Sequence, residues 1–534
     1  MKLPSAVFFA IVLGAVACSA VAQDNLLSNA GFESGQKLPD GWTSTGAGAA
    51  WDSALRHGGG RSVRLNGQSG KTAQKWESSF VPITPHVPYV ASAWVRTQSV
   101  LEKRGWLLVN TFDASKKWIR SYFIYKPDGS AAWREYSRAF TPKDGEVLAQ
   151  FTVALRGTGT MWADDVSLSR AMKYTDGNGV LHIGGKPVFP IGLYTHPCKT
   201  DFFDEISQAG FNAVLPYTSV YLSPTDAKSY LDAAQRKGIH VIYALKDYMT
   251  PWRLDDPEVW TPRQKVVDVV STLKNHPALL SWGIADEPEL QGAGAIDMIE
   301  THSLIKQIDP QTPTSAAVSI PAMYGYYGRY VDVLMPDVYP IPHSTVGAVG
   351  DAVRAATAAG ASSQPVWAVI QVFDPAAFGS KPEDNPRAPT YDEIRCMSYL
   401  AVVNGAKGLF YFCYDSQYKV YEHPEQWAGL KKIAGEIKTL VPVILAPPAD
   451  LHVSVSPAEH VSTTTRLYDG KAYIFVVNKH NSPREMSVTI CGEQSTSSVR
   501  LVDTQERIDL RDNRFVTTIP GYGAQIYSFE LSQN

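Results

Sequence analysis

Cysteine is scarce. Five are spread over 534 residues, at Cys18, Cys198, Cys396, Cys413 and Cys491, without the paired spacing of a zinc site or a disulfide framework. A stapled scaffold and a thiolate metal centre are thereby excluded, and no cofactor is expected for the chemistry. An excess of charge of one sign is also missing: 49 Lys and Arg stand against 52 Asp and Glu, a formal net charge of −3. With no basic stripe, nucleic acid is not an expected partner. Long apolar runs are absent beyond the N-terminus, so no membrane span is expected. The one early run, Ala6 to Ala17, follows Lys2 and ends in the small residues Ala20-Val21-Ala22. That is the form of a cleavable signal peptide over 1–22, and the mature chain is expected to be secreted or periplasmic.

Aromatic residues are plentiful, with 13 Trp and 26 Tyr. The length predicts two or three cores. Residues 24–170 read as short alternating strands, such as Tyr89-Val90-Ala91-Ser92-Ala93-Trp94-Val95, separated by turns rich in Gly, Pro, Asp and Ser. This predicts a jelly-roll β-sandwich. From 171 to 445 strands alternate with helices. Eight strand candidates fall at 188–194, 211–217, 239–246, 279–285, 313–319, 331–337, 365–371 and 406–413. Ser223-Pro224 and Thr261-Pro262 open helices, and Gly210, Gly238, Gly360 and Gly405 are expected to close them as left-handed caps. Eight such units predict a (β/α)₈ TIM barrel. Residues 446–534 lose the helical period and predict a C-terminal antiparallel β-sandwich joined through Pro447-Pro448. Oligomeric state is left open.

The fourth strand, Leu279-Leu280-Ser281-Trp282-Gly283-Ile284-Ala285-Asp286, runs into Glu287-Pro288-Glu289. Continuous apolarity suits a strand buried on both faces, and Pro288 stops it, leaving Glu287 at the carboxyl end where barrels of this kind hold their chemistry. The carboxyl ends of all eight strands collect His196, Tyr217, Lys246 with Asp247, Asp286 with Glu287, Asp337 with Tyr339, Gln371, and Tyr414 with Asp415. A barrel needing only stability would not require so many ionisable and aromatic groups on one rim. Cleaving a glycosidic bond needs two carboxyl groups and a ring of hydroxyl-binding partners. Asp286 is expected to disfavour a second negative charge and so to keep Glu287 protonated.

Strand four with Asp-Glu-Pro resembles clan A of the glycoside hydrolases, and the resemblance implies that Glu287 is the proton donor. The chain departs from that pattern at strand seven, where the clan's glutamate nucleophile is replaced by Gln371. Asp337 or Asp415 is then expected to supply the second carboxylate. Asp286, Gln371, His196, Tyr217, Asp247, Tyr339 and Tyr414 are expected to bind substrate. Two alternatives remain open: a substrate-assisted hexosaminidase-type hydrolase with Asp286 orienting an acetamide, and an inactive carbohydrate-binding protein, which Gln371 favours. The opening Asn25-Leu26-Leu27-Ser28-Asn29-Ala30-Gly31-Phe32-Glu33 and the closing Trp162-Ala163-Asp164-Asp165 resemble carbohydrate-binding-module-like jelly rolls. That resemblance implies a structural calcium held by Glu33 and Asp165, and a groove drawn from Trp106, Trp118, Tyr122 and Trp133. The whole reads as a secreted glycoside hydrolase acting on a poly- or oligosaccharide. Sugar, linkage and stereochemistry are left open.

Overall fold

The computed structural model describes residues 25–67, 72–101, 103–246, 262–292, 294–360, 363–491 and 496–531. The signal segment, Asp247 and the cap at Thr261 lie outside them. Eight parallel strands build the centre: β1 (Ile191–Thr195), β2 (Ala213–Pro216), β3 (His240–Ala244), β4 (Leu279–Asp286), β5 (Thr314–Val318), β6 (Val333–Pro336), β7 (Trp367–Gln371) and β8 (Gly408–Asp415). Their spatial order is β6-β5-β4-β3-β2-β1-β8-β7. Single bridges from Leu334 to Val366 and from Asp337 to Val369 join β6 to β7, closing the cylinder. All eight predicted strands are present. Their continuous apolarity reflects burial on both faces: the first six residues of β4 are buried, and only Ala285 and Asp286 emerge.

The outer helices are α1 (Phe203–Gln208), α2 (Pro224–Arg236), α3 (Pro262–Leu273), α4 (Ala295–Ile308), α5 (Tyr324–Tyr327), α6 (Gly347–Ala359), α7 (Tyr391–Val403) and α8 (Pro424–Leu445). In α2 the Ser223 side chain accepts the Asp226 amide, and Pro224 takes the first turn. Ala227, Tyr230, Leu231 and Ala234 recur on its buried face. Gly210, Gly238 and Gly405 have the positive φ of a left-handed cap. Gly360 does not: its φ is −82°. Its missing side chain serves packing instead, because a Cβ there would lie 2.3 Å from Gln364 Oε1. Gln364 in turn donates to the carbonyls of Gly328 and Val331.

The N-terminal jelly roll packs two antiparallel sheets, of six and five strands, around Trp76, Phe151, Leu107 and Leu65. It docks at the amino ends of the barrel strands. Glu135 pairs with Lys274, just before β4, at 2.8 Å, and the Met172 amide donates to Gln311, just before β5. The hairpin strands that follow, Lys173–Thr175 and Leu181–Ile183, lie at the same end, where the Lys173 ammonium bonds the His276 carbonyl and Thr312. The jelly roll is therefore at the far end of the barrel from Glu287. The C-terminal sandwich, of three and five strands, lies along α7 and α8, with Arg395 donating to the Ala524 carbonyl.

Candidate active site

Glu287 follows β4 directly and adopts a left-handed backbone, φ +48°. A non-glycine residue there is strained by on the order of 1 kcal/mol. The turn is held by the Glu287 amide on the Ala317 carbonyl at 2.9 Å, the Leu290 amide on the Glu287 carbonyl, and Gln291 Nε2 on the Asp286 carbonyl. Proline at 288 ends the ladder, and the left-handed turn fixes the direction in which the carboxyl leaves the strand.

Burial is the main cause of an elevated pKa at Glu287, with Asp286 and then Glu289 adding to it; together they carry the carboxyl up to about 7, against the pull of the Ser319 hydroxyl and Lys246. The expectation that Asp286 holds the proton in place is thus modified: desolvation leads and the neighbouring charge follows. Asp286 itself is bound to Lys246 Nζ at 2.8 Å, and that ammonium sits 3.6 Å from the centroid of the Tyr217 ring. Asp286 also bonds the Tyr217 side chain. These partners hold the Asp286 side chain in place.

Asp337 follows β6 and is only 4% exposed. Its amide is bound to Val318 and its side chain to Tyr339, while Oδ1 has no partner among the described residues. Burial, then the charge of Glu287, raises it far above the ordinary carboxylate range. Two residues that sequence reasoning did not select complete this cluster. Tyr194, the penultimate residue of β1, is 1% exposed, its hydroxyl has no partner among the described residues, and it feels Asp337, Asp286 and Glu287. Glu289 accepts the Ser319 hydroxyl at 2.9 Å and the Ile320 amide at 3.0 Å, fastening the end of β5 to the Asp-Glu-Pro turn. An unmet buried polar atom destabilises by ~1–3 kcal/mol, so Tyr194 and Asp337 mark this spot as shaped for something other than stability.

Asp415 belongs to a separate part of the mouth. Its Oδ1 accepts the His196 amide at 2.9 Å. Burial raises its pKa, and the groups that act against this are His196, Lys199 and Lys419. It lines a cavity of about 630 Å³ together with His196 and Tyr217. Tyr217 also borders the small space above Asp286, so it joins the two parts. Tyr339, half-buried, stacks on Phe412 and meets Phe373 edge-on.

Three expectations are corrected. Gln371 is fully buried, its Oε1 accepting the Ile341 amide at 2.9 Å and its Nε2 donating to the Ile341 carbonyl at 2.8 Å, so it clamps the loop after β6 and offers nothing to a substrate. Tyr414 is fully buried in the helix layer, where its hydroxyl and the Trp427 indole both donate to Glu205 of α1. Glu33 and Asp165 converge on the loop 57–61, but donors already occupy them: the Gly60 amide lies 2.9 Å from each Glu33 oxygen, and His57 Nδ1 lies 2.7 Å from Asp165 Oδ2. A calcium ion needs free acceptors, and among the described residues no group of three His, Cys, Asp or Glu is placed to hold a metal. The pair as placed closes a loop. Glu393, at the start of α7, forms a two-pronged bond to Arg387, both at 2.7 Å, which holds it below the usual range despite its burial. In the jelly roll, Tyr122 is tied to Glu146 and the Thr141 carbonyl, whereas Trp118 is 57% exposed.

The Gln371 clamp carries a prediction. Gln371→Glu, which would restore a carboxyl to strand seven, sets an acceptor against the Ile341 carbonyl and buries a charge. It is expected to destabilise the barrel by ~2–4 kcal/mol without adding activity. Urea unfolding followed by tryptophan fluorescence checks it; unchanged stability would show that the clamp is dispensable.

No protein-family model matches the chain, and no curated relative matches it. Solved structures of similar architecture include an α-amylase from Anoxybacillus (11% identity, TM-score 0.41, 63% of this chain and 90% of the other). Others are a β-galactosidase from Bacillus circulans sp. alkalophilus (10%, 0.46, 64% and 99%) and an endoxylanase from Clostridium papyrosolvens (12%, 0.38, 65% and 97%). These similarities are too low to carry residue roles, and the barrel assignment stands on its own eight strands.

Proposed function

We propose that this chain is a glycoside hydrolase, exported from the cell, that cleaves O-glycosidic bonds of a poly- or oligosaccharide with Glu287 and Asp337 as its carboxyl pair. The observation that carries this is the electrostatic coupling of two carboxyl groups at the ends of β4 and β6, one strand apart, both with raised proton affinity, beside the buried Tyr194 hydroxyl. Glu287 keeps its proton up to about 7, and burial together with the charge of Glu287 raises Asp337 far above the ordinary carboxylate range, so the two titrate as a coupled pair that holds a single proton. Glu287 is the half-exposed member and reaches the leaving oxygen. A sugar seated over it removes water and favours its neutral form. The proton then rests on Glu287, and Asp337, its anion supported by the Tyr339 hydroxyl, faces the positive charge that develops at the anomeric carbon.

Asp415 becomes a substrate-binding group on this reading, with His196, Tyr217 and Tyr339. Asp286 is occupied by Lys246 and Tyr217, which counts against a role in orienting an acetamide. Reducing ends released from a panel of plant and microbial polysaccharides test the proposal, with Glu287→Gln as control. Release that the substitution abolishes supports it. Binding without release by the wild type would favour a carbohydrate-binding protein, and equal release by both proteins would remove Glu287 from the mechanism.

Lys246 supplies a second expected result. Its charge pulls the Glu287 pKa down, so Lys246→Met should raise that pKa and move the alkaline limb of the pH–rate profile, where the proton donor is lost, upward by roughly one pH unit. Lys246→Arg should hold the limb in place. A profile that does not move in Lys246→Met would reduce Lys246 to a packing role.

A further inference from the structure

The two halves of the barrel mouth differ in charge. Asp286, Glu287, Glu289 and Asp337 gather at the ends of β4 and β6. The cavity of about 630 Å³ beside β1, β2 and β8 is instead lined by Lys199, Lys419 and His196, with Asp415 as its single carboxyl group among the described residues. That carboxyl is buried at 6% exposure, accepts the His196 amide, and has the charges of Lys199 and Lys419 directed at it. Among the described residues Lys199 otherwise meets only the Phe202 ring, at 5.9 Å. Lys419 also meets Glu422 at 3.1 Å on the exposed rim, and a solvated pair of that kind yields readily to a better-placed anion. The remaining walls are aromatic, with Phe202, Tyr217, Phe412 and Tyr421 among them. Such rings suit the apolar faces of a sugar.

We propose that this cavity binds a saccharide unit bearing an anionic group, a carboxylate or a sulfate, and that Lys199 and Lys419 hold that group while the aromatic walls take the ring. The inference rests on the glycoside-hydrolase reading of the same mouth and names its substrate class. An anion steered to the basic side is kept clear of the four acids, and the adjoining unit is carried over Tyr217 toward Glu287. Ammonium groups facing one cavity bind an anion by charge-assisted hydrogen bonds, and a neutral sugar offers them no such partner.

Binding to the full-length Glu287→Gln protein tests this without turnover. The probes are an oligogalacturonide, its uncharged methyl ester and a sulfated galactan oligosaccharide, titrated by calorimetry into that protein and into the same protein carrying Lys199→Met and Lys419→Met. Either charged probe is expected to bind at least about ten-fold more tightly than the ester at low salt. That advantage should shrink as salt rises and vanish in the lysine variant, while binding of the ester stays the same. The tighter of the two charged probes identifies carboxylate or sulfate as the group recognised. Equal binding of acid and ester, an advantage that survives the lysine substitutions, or no binding of any probe overturns the inference. Hydrolysis of neutral polysaccharides with no charge preference would sink this inference alone. Charge-selective binding by a wild type that releases no reducing ends would sink only the hydrolase reading.

Discussion

Glu287→Gln is expected to lower kcat on an unactivated polysaccharide by about 10²–10⁴-fold, the range a positioned general acid contributes. The same substitution should raise thermal stability, and the sign follows from the direction of the pKa shift. The native carboxyl keeps its proton up to about 7, whereas the unfolded chain releases it near 4.5. The stabilising effect of protonation is therefore complete at low pH and is lost as pH climbs through that interval. Glutamine has no charge to bury. The melting temperature of the variant should match the wild type near pH 4 and exceed it by a few degrees at pH 8. Scanning calorimetry across that range checks this, and a variant less stable at pH 8 would mean that the Glu287 carboxylate makes favourable bonds which the amide cannot replace.

The second large effect is at Asp337, and it should differ in kind. Asp337→Asn removes the anion that faces the anomeric centre, so the loss, again about 10²–10⁴-fold, should be the same for an ordinary glycoside and for an aryl glycoside whose phenol leaves without help. Glu287→Gln should be rescued on the aryl glycoside, because a good leaving group needs no proton. Rates on the two substrate types for both variants check the assignment. Rescue of Asp337→Asn by the aryl glycoside would reverse the two roles.

The barrel was legible because strands buried on both faces write themselves as apolar runs, and β4 shows this best: Leu279 to Ile284 are all buried, and the polar residues begin where the strand leaves the core. Glu287 was legible for the same reason, with Pro288 marking the end. Side-chain direction at the strand ends was not. Along the pairing of β1 with β8 the register slips between Leu193 and Thr195, so alternation counted from the apolar run does not carry through to the rim. Asp415 lines the mouth, while Tyr414 turns to Glu205 among the helices. Gln371 ends its strand as expected, but its amide is spent on Ile341, a partner thirty residues away that no local pattern reveals. Tyr194 was hidden by its position inside an apolar strand, and Glu289 by lying beyond the proline. Glu33 and Asp165 were brought together as the jelly-roll resemblance implied, and only the surrounding amides and His57 showed how they are used.

The account depends on a carboxyl group at residue 287 that stays neutral up to the middle of the pH scale. Its ionisation can be followed directly by carboxyl ¹³C NMR of protein labelled at glutamate, with Glu287→Gln identifying the signal. A midpoint near pH 7 is predicted. A midpoint near 4.5, the value of a solvated glutamate, would contradict it.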